Sequence, residues 1–284
     1  MTMKTIILVI LYNKCIDKSE TLISLNDNKF TNYDLIIYNN GPKLLGKDIL
    51  FYELQAKILS VNLCQDISNK PLSIIYNDFL SNNKGYERFV IFDDDTVIPG
   101  SFFSDLDDDK KNLEIALQLP LIKSKATDDI YYPAANNKVV SNKKLFENDE
   151  YILSIGSGLI IYRILIDLFN KNGSTLFDER FALYGVDFSL FRRIQRFKNK
   201  GEVINIQCAS FLWHSLSRSD TKDSLWRQNE RLIDTVLSIL HYSPIHKVIY
   251  SISKLLIQNI FRFNVGNVKL IIKVLIMKKH PRCK

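Results

Sequence analysis

The sequence RFVIFDDD (residues 88–95) decides the fold. Its first five residues are mostly apolar and rich in aromatic and β-branched side chains, which is typical of a strand buried on both faces of a sheet. Three aspartates follow at once. In open α/β sheets, ligands bind where the strands end at their carboxyl edge. This stretch therefore predicts a buried strand that delivers acidic side chains to a functional site.

Two further apolar runs precede this stretch, at residues 6–11 and 34–38, and each is followed by polar residues. Helical material separates the runs, including a helix around residues 75–80. Strands that alternate with helices predict an α/β protein with a mostly parallel central sheet flanked by helices. The rest of the chain predicts strands near residues 119–122, 155–161 and 203–212, a helix over residues 188–198 and an exposed acidic turn at residues 105–112.

The composition excludes several classes of protein. The chain has 284 residues, of which 46% are hydrophobic and 24% charged, and this ordinary balance argues against a disordered or low-complexity chain. None of the four cysteines forms a C-x-x-C pair, so neither a zinc ribbon nor a disulfide framework is indicated and a reducing, cytosolic setting is expected. No apolar run reaches the ~18 residues that span a bilayer, and residues 5–12 favour a buried strand over a signal peptide.

The formal net charge of +7 is concentrated at one end of the chain. No Asp or Glu follows Asp234, whereas the last 50 residues carry nine Lys or Arg. Residues 245–263 repeat apolar side chains at three- and four-residue steps with polar and basic ones opposite, which predicts an amphipathic helix. Ser243 and Pro244 predict its start. A second basic and apolar stretch, residues 268–279, follows a break at residues 264–267.

Two interpretations of this basic tail, residues 233–284, stay open. Its helices can lie on an anionic membrane surface, with apolar side chains in the lipid and lysines among the headgroups. Alternatively, they pack on the body and leave a solvated lysine face. The absence of acidic residues favours the membrane. No nucleic-acid partner is expected, although the pI is near 9.0, because the basic segment is strongly apolar and has few aromatic side chains for stacking.

Three features could supply chemistry, and each also has a purely structural explanation. The carboxylates of Asp93, Asp94 and Asp95 repel one another unless a divalent cation such as Mg²⁺ or Mn²⁺ compensates them; otherwise they form a solvated turn. Asp187 stands at the start of a predicted helix, either as a general base or as a simple helix cap. His214 is either a metal ligand or a buried, hydrogen-bonded histidine.

Together and in this order, these motifs resemble glycosyltransferase family 2 with the GT-A fold, and most of all its bacterial rhamnosyltransferase-type members. The resemblance extends over roughly residues 4–232. The matching pieces, in chain order, are Ile10-Leu11-Tyr12-Asn13, Ile37-Tyr38-Asn39-Asn40-Gly41, Asn77, Phe92-Asp93-Asp94-Asp95-Thr96, Ser157-Gly158, residues 177–187, Arg192-Arg193 and His214-Ser215-Leu216.

The resemblance implies an inverting, metal-dependent transfer of a sugar from a nucleotide-diphosphate donor to a hydroxyl group. It implies that Asp93 and Asp95 hold the donor and a Mn²⁺ or Mg²⁺ ion. His214 would complete the metal coordination, and Asp187 would remove the proton of the acceptor hydroxyl. The implied donor-binding set consists of Leu11, Tyr12, Asn39, Asn40, Asn77, Asp93 and Asp94.

By the same resemblance, residues 1–232 form a GT-A domain, with residues 1–100 binding the nucleotide sugar and residues 101–232 the acceptor. The implied acceptor is a lipid-linked oligosaccharide in bacterial O-antigen or capsule synthesis, with the protein on the inner face of the cell membrane. The sequence departs from the family at Tyr38 and Asn39, where many members carry an acidic residue that contacts the nucleotide base.

The sequence leaves two other functions open. The motif at residues 93–97 also fits the D-x-D-x-[TV] start of a haloacid-dehalogenase-type phosphatase, with Asp93 as the nucleophile, although that motif normally lies near the N-terminus. A non-catalytic, membrane-associated protein that binds sugar nucleotides would share the fold. The presence of Asp187, His214 and the aspartate triplet together counts against this second alternative.

Overall fold

The protein is described by a computed structural model over residues 3–108, 114–215 and 224–283. The first half alternates strands and helices, as the sequence predicted. Its elements are β1 (Thr5–Leu11), α1 (Glu20–Asp27), β2 (Asp34–Asn39), α2 (Ile49–Lys57), β3 (Ser60–Gln65), α3 (Leu72–Asn82) and β4 (Arg88–Asp93). The sequence pattern did not reveal β3, because this strand lies at the edge of the sheet and buries only Val61.

Four strands form the parallel part of the central sheet, in the order β3-β2-β1-β4. All residues of β1 are buried, and they alternate between two core clusters, one on each face of the sheet. The register aligns Leu11 with Asn39 and Ile10 with Asp93. The polar residues that follow β1, β2 and β4 therefore meet at one edge of the sheet.

The second half extends this sheet. Its elements are β5 (Thr96–Val97), α4 (Phe102–Asp108), β6 (Leu117–Ser124), β7 (Ile130–Tyr132), β8 (Ala134–Ala135), β9 (Lys138–Val139), β10 (Lys144–Leu145), β11 (Ile152–Leu153), β12 (Leu159–Tyr162), α5 (Arg163–Lys171), α6 (Val186–Lys198) and β13 (Ile206–His214). β12 runs antiparallel between β4 and β6, and β13 runs parallel to β6, so that the whole sheet is mixed. β11, β8 and β9 form a separate small sheet.

A short pairing brings the end of β13 to the acidic triplet. Thr96 of β5 pairs with His214 of β13 in an antiparallel register. Because β5 begins directly after Asp95, this pairing places His214 beside the carboxylates, although Thr96 and His214 are 118 positions apart in the chain.

Two predicted elements differ from the structure. Residues 155–158 form a loop before β12 rather than its first half. Gly158 has a φ of +82°, and a Cβ there would lie 2.5 Å from the side chain of Leu212, so both the backbone conformation and the close packing suit glycine. The acidic stretch 105–112 enters α4 as far as Asp108 instead of forming a turn, and its remainder lies outside the described residues.

Three helices follow: α7 (Leu225–Tyr242), α8 (Ile245–Phe261) and α9 (Val265–Met277). α7 is continuous across residues 232 and 233, where the sequence analysis divided the body from the tail. α8 begins at Ile245, one residue later than predicted, because Ser243 ends α7 by donating its backbone N–H to Ile239. The buried side chains of Ile252, Ile271 and Val274 join the same core cluster as those of β1.

None of the helices in the described ranges is both long and apolar enough to cross a membrane.

The position of β12 between β4 and β6 makes its apolar side chains sensitive to truncation. We expect Leu159→Ala, at a residue with no exposed surface, to lower the free energy of unfolding by about 2–5 kcal/mol, because it removes buried surface and leaves a cavity. Leu44→Ala, at a residue that is 70% exposed, is the matched control and should change it by less than ~0.5 kcal/mol. Urea denaturation measures both, and equal losses would contradict this account of the core.

Candidate functional site

A cleft of about 980 Å³ opens at the carboxyl edge of the sheet. The predicted residues that line it are Tyr12, Asn40, Asp93, Asp94, Asp95, Asp187 and His214. The carboxylates of the triplet, the carboxylate at the start of α6 and the imidazole at the end of β13 thus share one cavity. Leu216, the last residue of the final matching motif, lies outside the described residues.

Asp93, Asp95 and His214 form a group that could hold a metal ion. One ligand atom from each of the three lies within 4.8 Å of the others. Nδ1 of His214 is 3.2 Å from Oδ1 of Asp95, and its Nε2 is 3.9 Å from Oδ2 of Asp93. Two carboxylates and one imidazole are a donor set that Mn²⁺ accepts.

A chain of hydroxyl groups holds these ligands in place. Oγ1 of Thr96 lies 3.1 Å from Nδ1 of His214 and 2.6 Å from Oγ of Ser157. Oγ of Ser157 in turn accepts a hydrogen bond of 3.1 Å from the backbone N–H of Asp93. Ser157 belongs to a motif of the family resemblance, and here it connects β4, β5 and the end of β13.

Asp94 faces the same cleft but has protein partners of its own. Nζ of Lys14 lies 2.5 Å from its Oδ1, and the backbone N–H of Tyr12 donates to its Oδ2 at 3.3 Å. The carboxylate of Asp94 therefore fixes the loop that follows β1. Burial raises the pKa of Asp94 even though the Lys14 ammonium lowers it.

The triplet carries more negative charge than its surroundings compensate. The surrounding protein removes water from the Asp93 carboxylate and raises its pKa well above the ordinary value, and the charges of Asp95, Asp187 and Asp94 raise it further. Burial lowers the pKa of His214, although Asp95 raises it, which favours the neutral imidazole that binds metals. A divalent cation would relieve the repulsion between the carboxylates, so the residues fit such an ion.

Asp187 lies in the first turn of α6, where the positive end of the helix dipole favours a carboxylate. Gly156, in the loop before β12, makes room for it, because a Cβ at that position would lie 2.6 Å from Oδ1 of Asp187. The Asp187 carboxylate thereby packs against the backbone of Gly156, whose N–H lowers the pKa of the carboxyl group. The N-cap residue of α6 is Gly185 rather than Asp187. Asp187 instead packs against another segment and lines the cleft.

A further carboxylate, Asp234 of α7, lines the cleft near Asp187. It packs against Gly185, where a Cβ would lie 1.8 Å from its Oδ1, and Gly185 has a φ of +79° that suits glycine. Burial raises the pKa of Asp187 to about 7, the N–H of Gly156 lowers it, and the charge of Asp234 raises it again. A carboxyl group with this pKa can exchange a proton near neutral pH.

Three residues of the predicted donor-binding set are not among those lining the cleft. Leu11 is buried in the core. Asn39 donates from its amide to the backbone of Lys43 and to Gln65. Asn77 of α3 bonds to both backbone groups of Phe177 and thereby holds the segment that leads to Asp187. The two asparagines therefore hold neighbouring segments of the protein together, and the predicted contacts of all three residues with the donor stay predictions.

The sequence analysis missed several residues that line the cleft. Asp234, Arg231 and Trp226 come from α7, and Arg282 comes from the segment after α9. One sequence signal existed for Asp234, which is the last acidic residue before the basic tail. No local pattern marks Arg282, because only the tertiary fold brings it to the cleft.

Solved structures of similar fold are glycosyltransferases. Residues 1–349 of S. aureus TarS match with a TM-score of 0.53 and 13% identity over 98% of this chain and 93% of that chain. A longer TarS chain, of which this chain spans 41%, matches at 0.52 and 16% identity over 86% of this chain. The mannosyltransferase PcManGT from Pyrobaculum calidifontis, in complex with GDP-Man and Mn²⁺, matches at 0.51 and 10% identity over 84% of this chain and 64% of its own.

These likenesses show the fold, and the expected GT-A fold is confirmed. At such low identities they do not show the rhamnosyltransferase type, which stays a prediction. No protein-family model and no curated protein matches the sequence.

The raised pKa of Asp187 predicts how stability depends on pH. Its folded-state pKa of about 7 lies above the unfolded value near 4. The free energy of unfolding therefore falls as pH rises from ~4 to ~7, because the unfolded state loses this proton more readily, and the loss is constant above that range. We expect Asp187→Asn to be more stable than the original protein at pH 8, by on the order of 2–3 kcal/mol after allowance for solvent in the cleft.

This difference in unfolding free energy should vanish near pH 4, and urea denaturation at several pH values without added metal measures it. Asp66→Asn is the control. Hydrogen bonds from Ser68 lower the pKa of the half-buried Asp66 carboxyl, so its replacement should show the opposite sign: a small loss of stability at pH 8 that disappears at low pH. A parallel response of both variants would contradict the environment assigned to Asp187.

Proposed function

We propose that this protein is a divalent-cation-dependent glycosyltransferase that moves a sugar from a nucleoside-diphosphate donor to a hydroxyl group, with inversion at the anomeric carbon. One observation carries the proposal: the group formed by Asp93, Asp95 and His214 and the carboxylate of Asp187 line the same cleft. The GT-A fold supports it, because the proteins of known structure that share this fold include complexes with GDP-Man and Mn²⁺.

Asp93, Asp95 and His214 would hold the cation, most plainly Mn²⁺ or Mg²⁺. Bound there, the cation offsets the negative charge that the diphosphate gains as its bond to the sugar breaks. Thr96 and Ser157 keep the imidazole and the backbone of Asp93 in position for this binding. Lys14 fixes Asp94 and thereby the loop of Tyr12 on the same side of the cleft.

Asp187 would act as the general base. The acceptor oxygen forms its bond to the anomeric carbon while the bond from that carbon to the diphosphate oxygen breaks, and the acceptor proton passes to the Asp187 carboxylate. Its pKa of about 7 is well matched to this transfer at neutral pH. A single displacement with one base on the face opposite the leaving group inverts the anomeric carbon.

The phosphatase alternative loses its basis, because the fold is GT-A and the aspartate triplet follows the fourth strand of the chain. A non-catalytic protein that binds sugar nucleotides differs from the proposed enzyme in one respect, the use of Asp187. The roles of Asp187 and the metal ligands are therefore tested together.

We further propose that the acceptor is a lipid-linked oligosaccharide in bacterial surface polysaccharide synthesis, such as O-antigen or capsule. In this proposal α8 and α9 rest on the inner face of the cell membrane. These helices bury only one stripe of side chains against the body. Exposed apolar side chains remain, among them Ile249 at 64% and Phe263 at 90%. The exposed Lys247 and Lys254 supply positive charge for anionic lipids.

Asp187→Asn and Asp95→Asn should separate the two halves of the mechanism. We expect Asp187→Asn to reduce sugar transfer by about 10²–10⁴-fold while it leaves the Mn²⁺-dependent binding of a nucleoside diphosphate within about twofold, since the base contacts the acceptor. Asp95→Asn should lose the Mn²⁺ dependence of nucleotide binding, because it removes an anionic metal ligand.

A thermal-shift screen of UDP-, dTDP- and GDP-sugars with Mn²⁺ identifies the donor, because a ligand of the native state raises its Tm. Transfer is then measured with that donor, and binding by calorimetry. Near-normal turnover by Asp187→Asn would show that Asp187 is not the general base. Equal nucleotide affinity with and without Mn²⁺ in the original protein would show that nucleotide binding does not depend on the cation.

Vesicle flotation tests the membrane proposal. We expect Lys247→Gln and Lys254→Gln each to weaken binding to vesicles rich in phosphatidylglycerol by roughly fivefold at low salt, because each lysine near such a surface contributes about 1 kcal/mol. Lys171→Gln, on the exposed side of α5 in the body, should leave binding unchanged. Equal binding to neutral and anionic vesicles would show that charge does not direct this surface to the membrane.

A further inference from the structure

Residues 278–283, called the closing segment below, fold back onto the body beside the cleft. Lys278 ends α9 in a left-handed conformation with a φ of +53°. The backbone N–H of His280 then donates to the carbonyl of Arg180 at 2.8 Å. The side chains of His280 and Cys283 are buried, so the segment is anchored against the body on both sides of Arg282.

Arg282 connects this segment to the loop after β3. Its Nη1 donates to Oδ1 of Asn69 at 2.9 Å and to the Asn69 carbonyl at 3.3 Å, and its Nη2 donates to Oε2 of Glu230 at 2.7 Å. Burial alone would raise the pKa of Glu230, but His280 and Arg282 lower it below its ordinary value. An ionised, buried carboxylate thus holds the guanidinium at the wall of the cleft.

Asn40, which follows β2, reaches the same loop from the opposite side. Its Nδ2 donates to the carbonyl of Lys70 at 3.0 Å, while Arg282 holds the carbonyl of the preceding residue, Asn69. Both Asn40 and Arg282 line the cleft. The dipeptide Asn69-Lys70 is therefore bonded both to an amide side chain and to a guanidinium that line the cleft.

Each of these two side chains keeps one buried polar atom unsatisfied. Within the part of the chain that the structure describes, Oδ1 of Asn40 and Nε of Arg282 have no hydrogen-bond partner. The first is an acceptor and the second a donor. Buried polar atoms without partners are rare because each costs free energy, and a pair of opposite kind at the wall of a cleft suits a ligand that offers both.

The order of the strands indicates which part of the donor lies beside Asn40 and Arg282. Asp93 ends β4, Asp187 approaches the loop before β12 on one side of β4, and Asn40 follows β2, two strands away on the other side. Two strand spacings amount to about 10 Å. A donor whose diphosphate lies at Asp93 and Asp95, and whose sugar faces Asp187, therefore extends its nucleoside toward Asn40 and Arg282.

We propose that Arg282 and Asn40 bind the edge of the donor's nucleobase, so that the closing segment completes the nucleotide site. The inference rests on the proposed function and adds a specificity-determining residue to it. Every natural base presents an acceptor next to an N–H donor on its pairing edge, and proteins read that edge by hydrogen bonds. Nε of Arg282 donates to the base acceptor, while Oδ1 of Asn40 accepts from the neighbouring N–H.

Calorimetry on the full chain tests this inference with UDP, dTDP, GDP, CDP, ADP and inorganic pyrophosphate, each with Mn²⁺. For the nucleotide that the original protein binds most tightly, we expect Arg282→Met to weaken binding about tenfold or more, since it removes a charged hydrogen bond. Binding of pyrophosphate, which has no base, should stay within about twofold. Arg282→Lys retains a cation near Glu230 but lacks Nε, so it should weaken nucleotide binding similarly.

Arg193→Met is the matched control, because Arg193 also donates to a backbone carbonyl, that of Thr175, but does not line the cleft. It should leave all affinities unchanged. Melting curves show whether each variant is folded. If Arg282→Met is unfolded, the affinities of Arg282→Lys decide the test. Unchanged nucleotide affinity in the folded Arg282 variants would overturn the inference alone, as would an equal loss for pyrophosphate. Failure of the original protein to bind any nucleotide would overturn both the inference and the proposed function.

Discussion

The mutual repulsion of carboxylates in one cleft is the constraint on which the site depends. Asp93, Asp95 and Asp187 line one cavity, and the charges of Asp95 and Asp187 both raise the pKa of Asp93. Such an arrangement is costly without a counter-charge. The neutral imidazole of His214 and the hydroxyl chain through Ser157 favour a state in which a cation is shared, while the dipole of α6 stabilises the Asp187 carboxylate directly.

The part of the site that the sequence predicted is the part that strand ends determine. The apolar runs of β1, β2 and β4 each end in polar residues, and parallel strands bring such ends to one edge. Asp93 and Asp95 could therefore be placed from local pattern and sheet topology, whereas Tyr12 and Asn40 were assigned through the family resemblance. The fold class followed from the same alternation of strands and helices. A continuous apolar run indicates a strand with helices packed on both faces of its sheet.

The rest depends on pairings between distant segments. His214 reaches the triplet because β5, only two residues long, pairs with the end of β13, and no local pattern predicts so short a strand. Asn39 and Asn77 carry the residue types expected of donor ligands, but their amides bond to neighbouring segments of the protein. Asp234 was assigned to the tail because the family resemblance ends near residue 232, whereas the helix that carries it is continuous with the body.

That continuity links the two regions that the composition separated. α7 presents Asp234 to the cleft and packs against α9, and the closing segment after α9 returns to Glu230 of α7 and to Asn69 beside the cleft. The helices proposed to rest on the membrane are thus connected to the cleft at both ends, through α7 before α8 and through Arg282 after α9. A membrane surface that orients these helices would therefore also orient the cleft, and an acceptor held in that surface would approach Asp187 from a fixed direction.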